Sequence, residues 1–179
     1  MTAASRTPSG APIRVNRAPV LTLWAAVVAE RLGYPSETAF SLASHVAGTA
    51  ARAKARRLGI TEEGEPPKEK LRQEARETAR LLGKPVPLTH DADGVILADA
   101  GGGKPAPAAP VQAYVAKAFG ERLPDVRAAM EALAARYAPE ELNRIGFRLY
   151  EQFRPEVPKD VRGWGAKGEL DLARIRAAA

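Results

Sequence analysis

A mostly α-helical fold, with six to seven helices and one small β-hairpin, is what this sequence predicts, and three observations carry that expectation. Apolar residues recur at helical spacing through most of the chain, and Ser, Pro and Gly fall where helices should start and stop. Alanine is abundant while aromatics make up only 6% of residues, so helices are expected to meet closely through small side chains. Only one pair of short runs, Val86 to Leu88 and Val95 to Ala98, reads as a hairpin, joined by His90-Asp91-Ala92-Asp93-Gly94.

The elements follow in order. Residues 1–12 (MTAASRTPSGAP) are small, polar and Pro/Gly-rich and read as a flexible arm. Pro19 opens the first helix, which is apolar on nearly every side through Val20, Leu21, Leu23, Trp24, Val27, Val28 and Leu32 and therefore reads as buried all round. Gly33 ends it in a left-handed conformation. Ser36 caps a second helix, Glu37 sits favourably in its first turn, and Gly59 terminates it. Pro67 opens a third, with Leu71, Ala75, Ala79 and Leu82 in one stripe and Gly83 as its stop. After the hairpin, residues 101–110 (GGGKPAPAAP) have linker composition. Three short helices follow, with stripes Val111-Tyr114-Val115-Ala118-Phe119, Val126-Met130-Leu133-Ala134-Tyr137 and Leu142-Ile145-Leu149-Phe153. A last helix runs from Leu170 to Ala178. The expected organisation is thus an N-terminal helical unit over 13–100, the linker, and a C-terminal helical unit over 111–179.

Composition narrows the function classes. A chain of 179 residues with 45% hydrophobic and 27% charged residues is globular and long enough for one domain or two small ones. It has no cysteine, which excludes disulfides, thiolate metal sites and a Cys nucleophile. Two histidines and no clustered carboxylates point to no metal, and no cofactor is expected. GxSxG, Walker and HExxH motifs are absent, so an enzyme is the least favoured class. Gly163-Trp164-Gly165-Ala166-Lys167-Gly168 matches GxGxxG, but too little chain follows it for a returning strand, and it reads as a loop. Arg14 and Arg17 before the run Val20 to Val28 imitate a signal peptide, whereas Pro19 and the ending Glu30-Arg31-Leu32-Gly33 favour an ordinary helix. The run is also too short to span a membrane.

Charge is the sharpest signal. Residues 1–60 hold eight Lys/Arg against two Glu, a net +6, while residues 61–179 carry equal numbers of each sign. Arg52, Lys54, Arg56 and Arg57 cluster at the end of the second helix. Such a cluster either contacts phosphates or complements the helix dipole.

The string Ala29-Glu30-Arg31-Leu32-Gly33-Tyr34-Pro35-Ser36-Glu37-Thr38-Ala39-Phe40-Ser41-Leu42 has the small residue, the turn glycine and the inner apolar positions of a helix-turn-helix. It resembles the second helix-turn-helix of AraC-type transcription regulators, in which LGY-x-S-x-x-AFS is common. It departs from them in lacking Arg or Lys near the start of the second helix, where Glu37, Thr38, Ser41, Ser44 and His45 stand instead. An ordinary helix corner fits the string equally well. Separately, RAPVLTLWAAVVAERLGY with RPEVPKDVRGWGAKGELDL resembles an uncharacterised family of small bacterial proteins, a likeness that carries no activity.

The leading expectation is therefore a cytoplasmic, non-enzymatic protein that binds duplex DNA. Arg14, Arg17, Arg52, Lys54, Arg56 and Arg57 would grip phosphates, and Thr38, Ser41 and His45 would lie nearest the bases. The alternative is an interaction module that forms a homodimer or binds a partner through the apolar first helix, without nucleic acid. Neither reading identifies a small-molecule substrate or a membrane.

Overall fold

The computed structural model describes residues 12–57, 77–156 and 167–179, apart from the side chains of 49–57. Helices α1 (Arg17–Arg31) and α2 (Ser36–Arg57) come first, after the short strand β1 (Ile13–Val15). Strands β2 (Thr78–Leu81), β3 (Lys84–His90) and β4 (Ile96–Ala98) follow. Then come α3 (Ala109–Phe119), α4 (Leu123–Ala135), α5 (Pro139–Phe153), strand β5 (Gly168–Leu170) and α6 (Leu172–Ala177).

The apolar character of α1 places it at the centre. Pro19 lies in its first turn, where no intrahelical N–H bond is lost. Every residue from Pro19 to Ala29 is buried, and α2, α3, α4, α5 and β2 all pack on it. Each fully buried Leu or Val contributes about 1.5–3 kcal/mol relative to exposure. Trp24 is wholly enclosed, meets Phe153 edge-on at 5.4 Å, and donates its indole N–H to the Gly146 carbonyl at 2.9 Å.

The turn to α2 forms as its residues dictate. Gly33 has φ 108°. The Tyr34 N–H reaches the Ala29 carbonyl at 3.2 Å and the Gly33 N–H reaches the Glu30 carbonyl at 3.0 Å, the paired bonds of a Schellman ending. The two helices and the turn at Gly33 to Pro35 match the sequence expectation.

Elsewhere the fold differs from that expectation. Among the described residues five strands form two sheets, so the molecule is an α/β mixture rather than mostly α with one small hairpin. The expected hairpin is present, with β3 and β4 antiparallel and Leu88 opposite Ala98. The expected third helix ends outside its class: residues 58–76 lie outside the described residues, and Thr78–Leu81 is a strand. Ala79 and Leu82 suit a helical stripe, but Ala79 and Leu81 suit an alternating strand equally well, and the turn decides. Leu82 and Gly83 both have positive φ, 55° and 79°, which is the mirror-image two-residue turn a hairpin needs. Leu81 therefore pairs with Lys84 and β2 runs back along β3. The central strand tolerates Pro85 and Pro87 because the N–H groups it gives to β2 come from the alternate residues Lys84, Val86 and Leu88.

The second sheet joins the two ends of the described chain. Ile13 pairs with Leu170 and Val15 with Gly168, so the start of the expected last helix is strand β5, and α6 begins only at Leu172. No local signal could reveal a three-residue strand whose partner lies more than 150 residues away.

The segment 101–110 is not a spacer. Ala106 N–H bonds to Ala98 O at 2.8 Å and Ala100 N–H to Lys104 O at 2.7 Å, while the Asp99 carboxylate accepts from the N–H groups of Gly101 and Gly103. One hydrophobic cluster contains residues from both sides of it, from Ile13 to Ala178. The two expected units thus share a single core built around α1.

Candidate nucleic-acid interface

Helix α2 holds the residues expected nearest the bases, and the fold turns them inward. Thr38 is 2% exposed and Ser41 is 0% exposed. The Thr38 hydroxyl donates to Ile96 O at 2.8 Å. The Ser41 hydroxyl donates to Ala106 O at 2.7 Å and accepts from the Ala98 N–H at 2.8 Å. These bonds satisfy the outer edge of β4, whose backbone groups would otherwise be buried without partners. The same device closes the opposite edge. Asn143 on α5 donates to Arg80 O at 2.8 Å and accepts from the Leu82 N–H at 2.7 Å.

Thr38 and Ser41 are therefore corrected from base readers to caps on a strand edge. Ala39, Phe40, Leu42, Ala43, Val46 and Ala47 are buried as well, so α2 cannot lie in a DNA groove along that stretch. His45 is half-buried. Phe40 and its neighbours show why the sequence missed this. Two hydroxyls one turn apart, flanked by apolar residues on both sides, mark a helix face pressed on backbone rather than on solvent.

The basic residues separate into groups. Arg14 is exposed at the middle of β1, directly opposite Glu169 of β5. Arg17 is half-buried at the start of α1 and donates its Nε–H to Pro155 O at 2.8 Å. Burial, and secondly the neighbouring Arg154 guanidinium, hold its pKa below the ordinary arginine value. Arg31 is exposed and donates to the Tyr137 carbonyl at 2.8 Å, so it ties α1 to the end of α4. Arg52, Lys54, Arg56 and Arg57 stand in the last two turns of α2, with side chains outside the described residues. No Asp or Glu occurs between Glu37 and Glu62, so no carboxylate lies within four residues of any of these cations along the helix. Ion pairing within the helix at i,i+3 or i,i+4 is thus unavailable to them.

The alternative interface on α1 does not exist as a surface. Val20, Leu23, Trp24 and Val27 are all buried in the chain's own core. Among the described residues no three His, Asp or Glu come together as a metal site would require, and no helix is long and apolar enough to cross a membrane.

Sequence reasoning passed over the partner of Arg17. The Pro155 carbonyl follows α5 in a segment of balanced local charge, and only the fold carries it to Arg17 near the other end of the chain. Comparison with models of known families, with curated proteins and with solved structures finds no significant match to this chain.

Proposed function

We propose that the protein grips duplex DNA by its phosphates, without reading base sequence, through the basic end of α2. The observation that carries this reading is that α2 continues as a helix to Arg57 with four cations in its last six residues and no carboxylate within helical reach. Cations spaced along one helix end can displace several counterions from a duplex at once, the main source of sequence-tolerant affinity. The inward placement of Thr38 and Ser41 supports the absence of base readout, since base discrimination requires side chains that reach groove edges. A cytoplasmic location is part of the proposal.

The test is an anisotropy titration of a labelled duplex at several salt concentrations. Neutralising four to six phosphates gives a slope of log K against log salt of about −4 to −5. Replacing Arg52, Lys54, Arg56 and Arg57 together by Ala should flatten the slope by roughly three to four. Duplexes of unrelated sequence should bind alike. Absence of binding at micromolar protein in low salt, or an unchanged slope in the quadruple variant, overturns the reading.

A further inference from the structure

We draw no further inference here: the strongest candidate, the outward apolar face of α3 around the exposed Tyr114, is an unpartnered surface patch, and nothing in the structure shows what covers it.

Discussion

Gly146 is the position at which the core leaves least room, and its replacement by Ala is a quantitative test of the packing. A Cβ there would lie 2.5 Å from Leu82 Cδ2, 3.7 Å from Trp24 Nε1 and 3.8 Å from Val28 Cγ2. Two effects oppose each other. Ala in place of a mid-helix Gly favours the helix by about 1 kcal/mol. The added methyl overpacks the site, which typically costs about 1–3 kcal/mol. The near atom is the tip of a leucine, and on an open surface that tip would swing away at little cost. Here Leu82 is 4% exposed, its backbone is held at φ 55° in the hairpin turn, and its N–H is tied to Asn143 at 2.7 Å. The clash should therefore win, and Gly146→Ala should destabilise by up to about 2 kcal/mol net. For a chain of this size that lowers the thermal midpoint by about 2–4 °C per kcal/mol.

The decisive assay is a double-mutant cycle in urea with Leu82→Ala. Leu82→Ala alone loses core burial and costs about 2–4 kcal/mol. In its presence the methyl group added by Gly146→Ala meets no leucine, and the helix preference of alanine shows. The double variant should then be more stable than the sum of the two singles by at least about 1 kcal/mol. Additive effects, or a Gly146→Ala variant more stable than the parent, would refute the argument that Leu82 is locked against α5.

Two further outcomes follow from the same bonds. Ser41→Ala leaves the Ala98 N–H and the Ala106 carbonyl without their partner, at about 1–3 kcal/mol for each buried group, so urea unfolding should show a loss of about 2 kcal/mol or more. Under conditions where the variant is folded, its DNA salt slope should match the parent's, and a selective loss of binding would restore Ser41 as a contact. Tyr150 is pushed up to about 12, chiefly by burial. The folded state thus favours the neutral phenol, and its contribution is fully present below the ordinary tyrosine value near 10 and is lost as pH rises from there toward about 12. Urea unfolding from pH 9 to 11 should show this steeper decline in the parent and not in Tyr150→Phe, and parallel declines would contradict it.

The α1–turn–α2 unit was legible because each of its signals is local. Pro19, the unbroken apolar run, Gly33 and Ser36 all act within a few residues of themselves, and a Schellman ending needs only a glycine at the right place. The β3–β4 hairpin was legible for the same reason, with Asp91 accepting from the N–H groups of Asp93 and Val95 inside its own turn. Residues 78–82 were ambiguous, because a stripe of apolar residues at that length satisfies both periods and only the turn at Leu82-Gly83 and the edge cap from Asn143 choose the strand.

The sequence by itself determined that the positive charge is concentrated in the first sixty residues, that α1 is apolar on every side and so must be interior, and where the first two helices meet. Only the tertiary structure decided what Thr38 and Ser41 do. A hydroxyl on a helix can face water, a groove or a strand edge, and no neighbour in sequence distinguishes these. The choice was made by β4, more than fifty residues away, whose outward N–H and C=O groups had to be satisfied. The GGGKPAPAAP segment has the composition of a spacer, yet a single core forms across it, because α1 is buried all round and needs α2 to α5 together to cover it. The pairing of β1 with β5 and the bond from Arg17 to the Pro155 carbonyl likewise arise from contacts between distant parts of the chain. Such contacts exist only once the core between them has formed.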